Sequence, residues 1–297
     1  MSPGGGLCLC GLRMEAGRGV DAQVNEIQAV HKPLEAKNSQ SGVPAGLIDF
    51  HCHILPGIDD GPGSASESLK IARTLELAGF AEVYCTPHCI KGVWENTPAI
   101  VRRAVRDLQV LLDEAGILLK LRPGMEYYLD EFFPQFLTDP QTLGDSDYIL
   151  VESPSRGIPD LIKENIFAAI RAGLKPVLAH PERHAMFAPQ KEGSGVLFRV
   201  KRLLTRHRPV DAHYPAKPLL FALSDMGCCF QGNLGSFAGR YGKDVQQVGK
   251  QLLALGMYTH FGSDAHQPAG LSSMLEKGLI IADSEGAEGC PALFAAG

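Results

Sequence analysis

The sequence contains no CxxC pair, no long run of Lys and Arg, no low-complexity repeat and no apolar stretch approaching the ~20 residues of a membrane span. Each absence excludes something. Without CxxC pairs there is no zinc-knuckle spacing. Without a basic run, and with a formal net charge of -5, binding of nucleic acid through broad phosphate contact is disfavoured. Without a long apolar segment, no membrane insertion is expected. The opening "MSPGGGLCLCGLRMEAGRG" has neither a charged start nor an h-region, so no secretory leader is expected either. The eight cysteines do not form a legible disulfide framework. A chain of 297 residues buries a core without bridges, and Cys52, Cys85 and Cys89 lie in or beside strand-like runs as packing residues. A reducing, cytoplasmic compartment is the expectation.

Apolar residues make up 45% of the chain and charged residues 21%, the balance of a soluble globular protein. Residues 1–46 are Gly-rich and polar and read as a disordered N-terminal extension. From Leu47 on, strand-like runs alternate with helices: "LIDFHCHI", "AEVYCTPH", "LKLRPGMEYY", "YILVESP", "KPVLAHPE", "CCFQGNLG" and "YTHFGSDAH". The helices have readable ends. Ser64 with Glu67 forms a capping box and Gly79 a stop. Thr97 with Pro98 opens a second helix that closes at Gly116. A third runs from about Pro159 to Gly173, and a fourth from Asp244 to Gly256. This alternation predicts parallel strands with right-handed crossovers in one barrel-like α/β domain, residues 47–297. A basic, proline-broken stretch at about 189–224 interrupts the rhythm and reads as an excursion from the barrel wall.

Nearly every strand ends in a metal-ligand residue type: His51 and His53, His88, Glu126, Glu152, His180, then Asp264 and His266, with Asp60 in the loop after the first strand. Barrel strands point their C-termini to one face, and residues i and i+2 share a side, so these groups converge. Taken singly, each has an ordinary alternative: a core or capping histidine for His88, a surface carboxylate for Glu126. Glu152 and His180 follow apolar runs and would be costly to bury unpaired. Imidazole with carboxylate suits zinc, manganese or iron, and the set is too large for one ion, so two or three divalent ions are expected. His31, His184, His207, His213 and His260 are read as structural or surface residues. Asn233 in "QGNLGS" either shapes the pocket floor or marks an ordinary turn.

The motifs "DFHCHILPGIDDGP", "TPH", "PGMEYY", "HPERH" and "SDAH" together resemble the polymerase-and-histidinol-phosphatase (PHP) superfamily. More narrowly they are similar to the CpsB/CapC-type manganese-dependent tyrosine-protein phosphatases of bacterial capsule and exopolysaccharide loci. The resemblance implies a distorted seven-stranded (β/α)7 TIM-like barrel and a three-metal centre, with manganese ahead of zinc or iron. It implies one ion on His51, His53, Glu126 and Asp264, a second on Glu126, Glu152 and His180, and a third on Asp60, His88 and His266, with Asp59 either supporting a ligand from behind or left as a loop residue. The implied reaction is in-line attack of a metal-bridging hydroxide on phosphotyrosine, in the tyrosine-rich tail of a bacterial tyrosine kinase. Asp60, Arg183 and His266 are the implied catalytic set: Arg183 clamps phosphate unless it pairs with Glu182, and His266 protonates the leaving group if the metal leaves it free. The CX5R motif of cysteine-dependent tyrosine phosphatases is absent.

The sequence departs from that family in three places. After "SDAH" only Lys277 stands where a second phosphate-binding arginine is usual, leaving Lys91 or Arg240 as substitutes. The 189–224 excursion is long, and it would shape substrate access or contact a second copy in a homo-oligomer. Residues 1–46 have no counterpart. The alternatives are a histidinol-phosphatase-like enzyme of a small phosphate monoester, and a catalytically weakened regulatory protein of a polysaccharide locus.

Overall fold

The structure, a computed structural model, describes residues 46–188 and 219–285. The expected N-terminal extension, except Gly46, and residues 189–218 of the excursion lie outside the described residues, as do His31, His207 and His213.

Among the described residues nine strands follow in chain order: β1 (Leu47–Cys52), β2 (Phe80–Cys85), β3 (His88–Cys89), β4 (Lys120–Pro123), β5 (Glu126–Tyr128), β6 (Tyr148–Glu152), β7 (Lys175–Ala179), β8 (Cys229–Asn233) and β9 (His260–Gly262). They form two sheets, β1-β2-β4 and β3-β5-β6-β7-β8-β9. Every pairing in both is parallel. The result is a mixed α/β fold whose strands are covered on both faces, which is why they read as nearly continuous apolar runs.

Each sequence run "AEVYCTPH" and "LKLRPGMEYY" yields two strands rather than one. Pro87 has no N–H to give a ladder. Gly124 passes so close to its neighbours that a Cβ there would meet Leu143 Cδ2 at 2.9 Å and Thr86 Cγ2 at 3.0 Å. At these two points the chain leaves one sheet and enters the other. The sheets are tied again at the opposite end. Asp264 N donates to His51 O (2.7 Å) and His53 N to Ala265 O (3.1 Å), joining β1 to the segment after β9.

The helices are α1 (Ala65–Leu77), α2 (Pro98–Glu114), α3 (Pro159–Arg171), α4 (Leu219–Asp225), α5 (Leu234–Phe237), α6 (Lys243–Ala254) and α7 (Leu271–Glu285). In α2 the Thr97 side chain accepts from Ile100 N, Pro98 takes the first turn, and Gly116 at φ 62° ends it. Its buried stripe is Val101, Val105, Leu108 and Leu112; burying each leucine stabilises the fold by about 1.5–3 kcal/mol. In α1 Ser64 caps Glu67 N as expected, but Glu67 Oε2 takes the N–H of Gly63 rather than that of Ser64. The last residues of the expected excursion, from Leu219, form α4, whose Leu220 and Leu223 are buried in the core. The helix α7 was not anticipated, although Leu271, Leu275, Leu279 and Ala282 trace one buried face. No helix among the described residues is long and apolar enough to cross a membrane.

His260 is buried edge-on against Phe50 (4.8 Å between ring centroids) and Tyr148 (5.0 Å). Burial pushes its imidazole down to about 4 from 6.5. It is therefore folded neutral, while the unfolded chain binds a proton below pH 6.5. Its contribution is complete above pH 6.5 and is lost as pH falls toward 4. At pH 5 the penalty is ~2 kcal/mol. Urea melts of wild type and His260→Gln should converge by about that amount between pH 7 and pH 5; parallel pH dependences would contradict it.

Candidate metal centre

The strand ends build the site one residue at a time. At the end of β1, His51 and, just beyond the strand, His53 point the same way, both fully buried, with their Nε2 atoms 3.0 Å apart. Each ring is held from behind. His51 Nδ1 lies 3.0 Å from Gln231 Oε1, and His53 Nδ1 lies 2.7 Å from Asp59 Oδ2. Both oxygens can only accept, so each Nδ1 carries a proton and Nε2 is the atom that each ring turns inward.

Glu126, at the start of β5, is the centre of the arrangement. Its Oε2 lies 3.3 Å from His51 Nε2, 3.3 Å from His53 Nε2 and 3.0 Å from His88 Nδ1. Its Oε1 lies 3.2 Å from His180 Nε2. Yet both oxygens are buried and neither makes a hydrogen bond, and His88 Nδ1 is orphaned as well. Burial alone would raise this carboxyl, but the imidazoles of His51 and His88 outweigh it and hold the group well below the usual range. Glu152 behaves oppositely: burial, and then the Glu126 carboxylate, push it up to about 8.

Asp264 completes the inner set. Its Oδ1 lies 3.3 Å from both His51 Nε2 and His53 Nε2. His180 and Asp264 are the two non-glycine residues with positive φ among the described residues, at 32° and 52°. Such backbone costs on the order of 1–3 kcal/mol, and both instances sit where ligand atoms must be aimed. At the outer edge, Asp60 Oδ1 lies 3.2 Å from His266 Nε2 and 3.5 Å from His88 Nε2.

All nine residues singled out for metal thus meet. Four overlapping groups have mutually close donor atoms: His53, Asp60, His88 and His266; His51, His53 and Asp264; His51, Glu126 and His180; His88, Glu126 and Glu152. Orphaned buried carboxylate oxygens and ring nitrogens turned toward them fit divalent cations bound to nitrogen and oxygen.

Arg183 does not take the alternative partner Glu182. It pairs with Asp264, with Nη2 2.5 Å from Oδ2, and its guanidinium lies 3.8 Å from the ring centroid of Tyr241. Glu182 is buried elsewhere, accepting from Asn233 N (3.0 Å) and Tyr258 OH (2.9 Å). Of the two substitutes for a second clamp, Lys91 is paired with Glu95 at 2.9 Å and Arg240 is exposed in the turn after α5; Lys277 is exposed on α7. His184 stacks beside His180, with ring centroids 6.1 Å apart, and belongs to none of the four groups. Among the described residues Cys52, Cys85, Cys89 and Cys228 are buried packing residues, Cys85 with its thiol raised by burial, and Cys229 is half-buried.

Asp59, behind His53, takes the supporting role rather than that of a plain loop residue. Residue types alone did not reveal the other supports: Gln231 behind His51, and Asp49. Asp49 Oδ1 accepts from His51 N (3.1 Å) and Ser263 N (2.9 Å), fastening β1 to the segment after β9, and its carboxyl is pushed up to about 6 by burial. Its position two residues before His51, on the same side of the strand, was the available signal.

A family model described as capsular polysaccharide synthesis, CpsB/CapC, matches residues 47–199. The tyrosine-protein phosphatase YwqE of Bacillus subtilis (strain 168) is 30% identical over 241 residues, which is 80% of this chain and 85% of YwqE. The tyrosine-protein phosphatase CpsB of Streptococcus pneumoniae is 26% identical over 179 residues, 59% of this chain and 71% of CpsB. One chain from the crystal structures of YwqE and CpsB, metal-dependent tyrosine phosphatases, superposes with a TM-score of 0.66 at 30% identity, covering 82% of this chain and 89% of the other.

Proposed function

The chain belongs to the CpsB/CapC family of capsular polysaccharide synthesis, and from that premise we propose that it is a metal-dependent protein-tyrosine phosphatase. The observation that carries this reading is the Glu126 carboxylate, buried among four imidazoles with both oxygens unpaired. We read the nine strands as seven wall positions of a distorted (β/α)7 barrel, β2 with β3 and β4 with β5 each being one position bent at Pro87 and Gly124. Residues 47–297 make the catalytic domain, its sequence interrupted by an insertion-like excursion at about 189–224.

His51, His53, Asp60, His88, Glu126, Glu152, His180, Asp264 and His266 would hold two or three ions, manganese by preference. Bound ions supply an activated water and neutralise the phosphoryl oxygens. The chain's own groups do the rest. Glu126 reaches His51 and His53 through one oxygen and His180 through the other, so it spans the inner set. His266 gives Nδ1–H to Asp264 O (2.9 Å), which turns Nε2 toward Asp60 and His53. That orientation supports a role in holding an ion ahead of protonating the phenolate. Arg183 spends Nη2 on Asp264, and its remaining N–H groups are the cationic donors for phosphate. The substrate is phosphotyrosine in the tail of a bacterial tyrosine kinase, in the cytoplasm.

The test is turnover of a phosphotyrosine peptide and of histidinol phosphate side by side, with and without manganese. Manganese-dependent release of phosphate from the peptide is expected, abolished by a chelator and restored by the metal. Turnover of histidinol phosphate alone would replace this reading with that of a small-ester phosphatase.

A further inference from the structure

The Asp264 carboxylate has two oxygens and two different surroundings. Oδ1 faces His51 and His53. Oδ2 is taken by Arg183 Nη2 (2.5 Å) and by Asn233 Nδ2 (3.0 Å). The Asn233 amide cannot turn over. Its Oδ1 accepts from Gly235 N (2.7 Å) and Ser236 N (3.2 Å) at the start of α5, and an amide nitrogen there would confront two donors. The residue is wholly buried at the end of β8, with its own N–H given to Glu182. It is fixed from three sides, and its one free function is to donate to Asp264.

We infer that Asn233 is a positioning residue: by capping α5 with its oxygen and holding Asp264 Oδ2 with its nitrogen, it fixes which carboxylate oxygen faces the metal centre. The inference rests on the metal-centre reading above. It explains why a buried polar residue stands at the end of β8, where the other wall strands end in ligands. It also explains how Asp264 keeps one rotamer when the residue before it and the residue after it carry no charge.

Asn233→Asp and Asn233→Ser test it. Both are good helix N-caps, so the α5 contact survives in each. Asn233→Asp turns the donor into a carboxylate oxygen facing Asp264 Oδ2, and Asn233→Ser removes the donor. Metal-free protein is titrated calorimetrically with manganese, and its thermal midpoint is measured in chelator. The expected result is one class of site weakened ~10–100-fold, the usual effect of losing a group that orients a ligand. The metal-free midpoint should stay within a few degrees of wild type, with kcat on the phosphotyrosine peptide lowered and KM little changed. Wild-type manganese affinity at every site in either folded variant overturns the inference. If Asn233→Asp does not fold, Asn233→Ser decides; if neither folds without metal, Asn233 serves the fold alone and the inference fails. Wild-type protein that takes up no divalent ion defeats the metal reading itself, a result distinct from the others.

Discussion

Glu126→Gln will abolish manganese-dependent turnover while leaving a folded chain. The amide has the same shape, so packing around β5 is unchanged. What is lost is the single negative charge that faces His51, His53, His88 and His180. An amide offers one weak acceptor where the carboxylate offers two charged oxygens, and the site needs both because imidazoles approach from both sides. Removal of a central anionic ligand should lower kcat/KM by at least about 10³-fold, equivalent to ~4 kcal/mol of transition-state stabilisation. Metal content after gel filtration should fall in parallel. The comparison with Glu152→Gln is informative, because Glu152 lies at the edge of the set, 3.8 Å from His88 and 3.9 Å from His180, while Glu126 lies at its middle. Its replacement should cost less metal than that of Glu126. Retention by Glu126→Gln of activity within tenfold of wild type would remove Glu126 from the centre of the mechanism.

The second large effect is on stability. A methyl group at Gly262, the last residue of β9, would lie 2.5 Å from His51 Cβ and 2.8 Å from His51 N. These are backbone-anchored atoms that cannot swing aside. Strand β1 would have to move away from β9, against the hydrogen bonds of Asp264 N to His51 O and His53 N to Ala265 O. Overpacking of this kind costs ~3 kcal/mol or more. For a domain of this size that lowers the thermal midpoint by about 6–12 °C. Because the displaced residue is His51, Gly262→Ala should also lose manganese affinity, which a destabilising substitution remote from the site would not do. A midpoint within 2 °C of wild type would show that the strands are less tightly joined than their contacts indicate.

Much of this was legible in the sequence, for a physical reason. In a parallel sheet covered on both faces the strands must be apolar throughout, so a His, Asp or Glu at the end of such a run stands out. His51, Glu152, His180 and Asp264 were found that way. The helix ends at Thr97 and Gly116 were equally plain, because capping is local chemistry. What escaped was chemistry acting across the chain. Arg183 sits next to Glu182, and sequence adjacency suggested that pair. The fold instead pairs Arg183 with Asp264 and turns Glu182 toward Tyr258 and Asn233. Gln231 and Asn233 are uncharged and stand in a strand with no periodic signal, so nothing local marks them as supports for His51 and Asp264. The division of two apparent strands by Pro87 and Gly124 was missed because a break between parallel sheets leaves the apolar pattern on both sides intact.

The bonding of β1 to residues 264 and 265 carries a consequence for how the molecule is made. Of the described strands, β1 is made first, and the segment that covers its second edge is made after β9. Until Ala265 has been translated, β1 presents an open edge, and open edges recruit foreign strands. The polar histidines at its end, His51 and His53, make it a poorer template for aggregation while it waits. Contacts very distant in sequence are then the ones that finish the metal centre, so an ion cannot be gripped by all nine residues before residues 264–266 have joined β1. Metal uptake during translation would therefore report that this segment has been made, and a ribosome-stalled chain ending before Asp264 should bind metal poorly however well its first half has folded.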